Sequence, residues 1–204
     1  MKYFRLSVFL FLISNLCFAT TSDTYVCNEN TINELMIEGN ANFNKCHSTS
    51  NIIINGNIVS NNSNFKDNLV ILGRSNLLNS TVFNGNFYGQ LIAKFVRFSN
   101  LYVTENAFIH EVVINKYTQV FGNLFADNSI FYDNTEIFGL NNTIKNSIIN
   151  KNIILKENLN NSNQQTLTLE NTVVAGNIII ENKNSKINIT KNSSIKGEII
   201  NNFQ

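Results

Sequence analysis

Three aspartates and one histidine–glutamate pair have the residue types for acid–base or hydrolytic chemistry. Asp67 and Asp133 each stand eleven residues after a glycine (Gly56 and Gly122), Asp127 lies six residues before Asp133, and His110 is followed by Glu111. Two carboxylates about 5–9.5 Å apart would suit glycoside cleavage, and a histidine held by a carboxylate would suit proton transfer. The spacing speaks against both. If the glycine interval is a structural repeat, Asp67 and Asp133 share a column four coils apart, or about 19 Å at ordinary strand spacing. Asp127 and Asp133 then share a coil but fall at different corners. His110 and Glu111 are neighbours in a strand and so point to opposite faces. The chain has no GxSxG elbow and no HExxH. No catalytic residue, cofactor or metal site is therefore assigned. The acids read as solvated corner residues, and the chain as a non-enzyme.

Three cysteines add a further constraint. Cys17 sits in an apolar leader, leaving Cys27 and Cys46 with eighteen residues between them. Two cysteines in an exported chain pair more often than they stay free, and closing such a loop is worth ~3 kcal/mol. Only His47 lies near, and no CxxC exists, so a metal site is not expected.

The leader is an export signal. Met1–Arg5 is a short basic start, Leu6 to Leu16 is an apolar run too short to span ~30 Å of hydrocarbon, and Cys17-Phe18-Ala19 offers small residues at −3 and −1 for cleavage after Ala19. The mature chain is then expected in the periplasm, on the cell surface or outside. Formal net charge is +1 and only Arg74 and Arg97 follow the leader as arginines, so no basic patch for nucleic acid is expected. Lys145, Lys151, Lys156, Lys183, Lys186, Lys191 and Lys196 interleave with Glu157, Glu170, Glu181 and Glu198, the mark of an ordinary solvated face.

The elements that would position these residues follow from the glycines. Gly39, Gly56, Gly73, Gly89, Gly122 and Gly139 are spaced 17, 17, 16, 33 and 17 apart, the double interval being filled by Asn106. Two residues before the glycine stands an apolar side chain (Ile37, Ile54, Ile71, Phe87, Val120, Ile137, Val174, Ile195), and two after it another (Ala41, Ile58, Leu91, Leu124, Ile178, Ile199). Nine or ten after it come Phe65, Phe83, Phe98, Phe131 and Ile148. Apolar residues two apart mark short strands, and the Asn, Ser, Thr and Asp between them tolerate tight corners. A period this short means stacked coils. The expected fold is all-β: a single-stranded parallel β-helix (β-solenoid) of about ten coils of ~17 residues, with an antiparallel sandwich or barrel as the alternative. Residues 1–19 are the cleavable signal, 20–36 an N-terminal cap and 37–204 the solenoid, with an irregular loop near 156–170. Glycine is expected to supply a positive φ at the corner. Asn40, Asn57, Asn123 and Asn177 are expected to form amide ladders, in a chain with 41 Asn and no Pro.

Coil motifs such as Ile54-Asn55-Gly56-Asn57-Ile58-Val59 and Val120-Phe121-Gly122-Asn123-Leu124-Phe125 resemble those of bactofilins and related polymer-forming β-helix proteins. The resemblance covers residues 35–155 well and 172–200 loosely. It implies a right-handed β-helix that self-associates without nucleotide, although bactofilins lack an export signal and this disulfide. The chain is also similar to autotransporter passenger domains. Together these readings give an exported, non-catalytic solenoid acting as a structural, self-associating or adhesive protein toward protein or glycan surfaces. The alternatives are a polysaccharide lyase or hydrolase, or a secreted host-directed effector, on the same scaffold.

Overall fold

Each coil contributes three short strands to three flat walls. The computed structural model describes residues 18–20, 24–33, 35–157, 163–190 and 192–203. The bulk of the expected signal, residues 1–17, lies outside the described residues, as does Lys191. The first wall is a 10-stranded sheet with one strand per coil, from Tyr25–Asn28 through Leu91–Lys94, Ala107–His110 and Leu124–Asp127 to Ser185–Ile189. The second wall begins with Thr31–Ile32 and the third with Phe18–Thr20, followed by Leu35–Glu38. These two join as one 18-stranded sheet, because Asn64–Ile71, Thr81–Phe87 and Arg97–Val103 run through both. Every strand pairing is parallel, for example Ala41–Asn44 on Ile58–Asn61 and Thr135–Ile137 on Ile153–Leu155. The fold is thus the expected all-β parallel solenoid of about ten coils.

Side chains alternate in and out, and the inward ones stack in columns. Ile37, Ile54, Ile71, Phe87, Val103, Val120, Ile137 and Leu155 form one column, all fully buried. A second column holds Phe65, Val82, Phe98, Ile114, Phe131 and Ile149. Two expected members are displaced: Phe83 and Ile148 are exposed, and their neighbours Val82 and Ile149 point inward instead. Val82 stands nine residues after Gly73, as Phe65 does after Gly56 and Phe98 after Gly89, and the register shift falls beyond it, between Val82 and Asn84. Val174 and Ile195 also belong to this second column, while Ile178 and Ile199 continue the column of Leu35, Ile52 and Leu69. Gly176 and Gly197 therefore mark a different corner from the earlier glycines.

The glycine column itself differs from expectation in two ways. Its missing place is filled by Glu105, on which Gly122 rests, while Asn106 lies in the neighbouring asparagine column. Only Gly39 has a positive φ (125°). The others are glycine because coils touch there: a Cβ on Gly56 would lie 2.0 Å from the Gly39 carbonyl oxygen, and one on Gly139 would lie 2.2 Å from that of Gly122. The left-handed conformation occurs instead at the corner after the first wall. There Glu29, Lys45, Asn62, Asn79, Phe95, Glu111, Asn128, Asn146 and Asn171 have φ between 48° and 57°. Asparagine accepts this region most readily among residues with a Cβ. The next residue is a buried hydroxyl in many coils. Ser129 Oγ donates to the Asp127 carbonyl (2.9 Å) and accepts the Val112 N–H of the adjacent coil (3.1 Å).

Amide ladders are present, but on two columns. Asn40 Oδ1 accepts from the Asn57 side chain (3.0 Å), whereas at the same corner Asn106 and Asn123 Oδ1 accept the backbone N–H groups of Asn123 and Asn141. Asn177 belongs to the corner between the second and third walls. There the Asn51, Asn68, Asn84 and Asn100 amides bond in sequence at 2.6, 3.0 and 2.7 Å, while Asn134 and Asn152 Oδ1 accept the backbone N–H groups of Asn152 and Asn177. Tyr117 interrupts that column; burial and the Glu136 carboxylate it donates to push its phenol up.

At the N-terminal end, Phe18–Thr20 pairs with Met36–Glu38, so the cleavage point expected after Ala19 falls inside a strand. Residues 25–38 form a coil of the solenoid rather than a separate cap. The Cys27 and Cys46 sulfurs are bonded (2.00 Å), tying the first wall of this coil to the corner of the next. The loop expected over 156–170 is shorter: Gln165–Glu170 is a first-wall strand, and residues 158–162 lie outside the described residues.

Two buried hydroxyls stand where the same column carries Ile or Leu elsewhere. Thr118 and Thr135 pair in register, and neither Oγ1 has a hydrogen-bond partner. An unpaired buried hydroxyl costs about 1–3 kcal/mol. Thr118→Val and Thr135→Val are therefore each expected to raise the unfolding free energy by about 1 kcal/mol, measured by urea denaturation.

Candidate functional site

The middle of the first wall gathers side chains that the sequence places far apart. Outward positions on this wall fall in two columns. In one, Ile92, Phe108 and Phe125 are in register; in the other, Lys94, His110, Asp127 and Lys145 are. Both follow from strand alternation combined with a repeat of 16 or 17 residues. The Phe108 and Phe125 rings stack face to face, centroids 4.9 Å apart. With Ile92, Lys94, His110, Asp127, Thr143 and Lys145 they line a shallow groove of about 340 Å³.

His110 is held between two carboxylates. Its Nδ1 lies 3.0 Å from Asp127 Oδ2 and its Nε2 lies 3.0 Å from Glu111 Oε1. The first contact joins adjacent coils. The second arises because the strand ends at His110 and Glu111 takes φ 52°, which swings its side chain back toward the imidazole. The expectation that His110 and Glu111 face apart is thus corrected: the rule of alternation stops applying at a left-handed residue. Asp127 also accepts from Asn146 (2.8 Å), which in turn accepts from Asn171 (2.9 Å). The Asn146 amide, and then His110, hold the Asp127 carboxyl below the usual carboxylate range.

The remaining acids do not join this cluster. Asp133 lies at the corner between the second and third walls, bound to Lys151 at 2.8 Å. That ammonium, with the Asn134 N–H, holds its carboxyl low. Asp67 accepts from the Asn68 N–H and side chain. Asp67 and Asp133 stand on coils four apart. The interleaved lysines and glutamates pair across coils, Lys145 with Glu170 at 2.8 Å and Lys156 with Glu181 at 2.9 Å. Among the described residues, no group of three His, Cys, Asp or Glu is arranged to hold a metal, and no helix is long and apolar enough to cross a membrane.

The depressed carboxyls set an acid limit. A carboxyl whose folded pKa is lowered contributes stability above its unfolded value of ~3.9, and that contribution is lost as pH falls through the folded value. The urea midpoint is expected to drop below about pH 4, and the drop to shrink in Asp127→Asn and Asp133→Asn, as followed by circular dichroism.

Neither a known protein family, nor a curated protein, nor a solved structure matches the chain.

Proposed function

We propose that this chain is an exported, non-catalytic solenoid whose walls act as surfaces for self-association or adhesion. The observation behind this reading is the first wall. Its outward side chains include exposed Ile92 and Phe108 in the middle, with Val59 and Val26 exposed further toward the N-terminal end of the same column. Contiguous exposed apolar groups of this kind mark contact surfaces. The likeness of the coil motifs to polymer-forming β-helix proteins, and the export signal read from the leader, point the same way.

Fractionation of cells carrying a C-terminally tagged copy tests the address. The tag is expected in the periplasmic, surface or extracellular fraction, and a cytosolic tag would overturn the export reading. Light scattering against concentration, together with binding to glycan and protein surfaces, tests the role. A monomer at every concentration that binds no surface would sink it. The groove beside His110 and Asp127 is the one observation that favours a polysaccharide-acting enzyme. Turnover of a uronic-acid polymer that disappears in Asp127→Ala would replace the present reading with that one.

A further inference from the structure

From the first wall we infer that two copies of this chain pair face to face and antiparallel, with Phe108 against Phe108 of the second copy. The inference rests on the self-association reading above and names the surface and geometry for it.

Three apolar side chains are contiguous in the middle of the wall, and the same column exposes Val59 and Val26 further toward the N-terminal end. Ile92 is 40% exposed and Phe108 37%, and Phe125 is half-buried against Phe108. In the same outward column the flanking residues are polar: Asn76 on one side, Thr143 on the other. Beside the patch, Phe95 is 42% exposed and sits at the left-handed corner with φ 57°. A bulky residue is rare in that conformation and strained by it. The ring packs edge-on against His110 at 6.3 Å, and a covering surface would bury the part that remains exposed.

The chemistry of the patch selects the occupant. Phe108 and Phe125 stack on each other along the rod, at an interplanar angle of 6°. They therefore present ring edges outward, which does not offer a sugar the open ring face it stacks on. A second copy fits through charge. In the adjacent outward column Lys94 lies one coil before His110 and Asp127 one coil after. Lys94 makes no ion pair among the described residues; its ammonium lies over the Phe95 ring at 4.8 Å.

Two sheets facing each other can be related by a two-fold axis along the rod or by one along the strands. The axis along the rod exchanges the two outward columns, setting Ile92 against Lys94 and Phe125 against Asp127, apolar against charged. The axis along the strands, placed at the coil of Phe108, keeps each column on itself and reverses the coil order. Ile92 then meets Phe125, Phe108 meets Phe108 and Lys94 meets Asp127. His110 meets its own copy, with Glu111 and Asp127 flanking each imidazole. Of the two, this arrangement pairs Ile92 with Phe125 and Lys94 with Asp127, while one coil further out it sets the half-buried Leu78 against Lys145, at the ~10 Å sheet separation usual for packed β-faces.

Sedimentation velocity on the mature chain over a range of concentrations is the test. A closed dimer is expected, weakened at least tenfold in Phe108→Asp and in Lys94→Glu, and restored toward wild type in Lys94→Glu/Asp127→Lys. Mild oxidation of Phe108→Cys should give a single cross-linked dimer. Ile92→Cys should cross-link only when mixed with Phe125→Cys. Far-ultraviolet circular dichroism confirms that each variant is folded, and the cysteine variants report on the geometry even if an acidic substitution fails to fold. A dimer indifferent to Phe108→Asp, or no cross-linking through Phe108→Cys, overturns the pairing while leaving self-association by another surface standing. A monomer at all concentrations that still adheres to surfaces overturns the pairing alone.

Discussion

Phe98→Ala is expected to lower the unfolding free energy by about 3–5 kcal/mol, while Phe83→Ala changes it by less than about 0.5 kcal/mol. Both residues occupy similar places in the repeat, yet Phe98 is fully buried and Phe83 is 46% exposed. Phe98 stacks in register on Val82 and Ile114 and meets the Phe87 ring edge-on at 6.0 Å. Its truncation leaves a cavity bounded by coils above and below, and neither can collapse into it without breaking its own hydrogen bonds. Phe83 carries the Lys116 ammonium 6.0 Å from its ring and otherwise faces outward. Urea denaturation of the two variants side by side decides whether the column is as described. Equal losses would contradict it.

Gly139→Val is expected to be at least as damaging as the upper end of ordinary overpacking, about 3 kcal/mol, and to appear first as loss of soluble folded protein. Gly139 is buried, and an added Cβ would lie 2.2 Å from the Gly122 oxygen and 2.6 Å from the Asn123 Cα. These are backbone atoms, so no side chain can swing aside; the two coils must separate. Gly85→Val makes an informative companion. There the Cβ would strike the Phe87 ring at 2.6 Å and the Phe98 ring at 3.2 Å. Gly85 stands mid-strand because the Phe87 ring occupies the space its side chain would fill, so Gly85→Val is relieved in part by Phe87→Leu, whereas no single second change relieves Gly139→Val.

How much of this was legible in the sequence follows from what each residue reports. The glycine interval and the alternating apolar residues announce stacked parallel strands, because both are properties of single positions repeated. The phase of each column is harder to read. Val82 is the residue in register with Phe65 and Phe98, and the larger apolar Phe83 one position on hides that phase in the sequence. Gly176 and Gly197 look like the earlier glycines but sit at another corner, since close contact between coils demands glycine wherever it occurs. Cys27 and Cys46 could be read as a pair because only these two cysteines lie outside the apolar leader, and they are joined. The cluster around His110 was not legible. Its partner Asp127 lies in the next coil, and the turn of Glu111 toward it depends on a corner conformation visible only in the backbone.

The direction of the backbone bonding has a mechanical consequence. Backbone N–H groups donate along the rod to carbonyls of both neighbouring coils, as Leu101 does to Tyr117 and Thr104 to Phe87. Tension along the rod would load these bonds one after another rather than together. Such a molecule should unspool coil by coil at modest force when pulled by its ends, yet resist being crushed from the side, where three interlocked walls share the load.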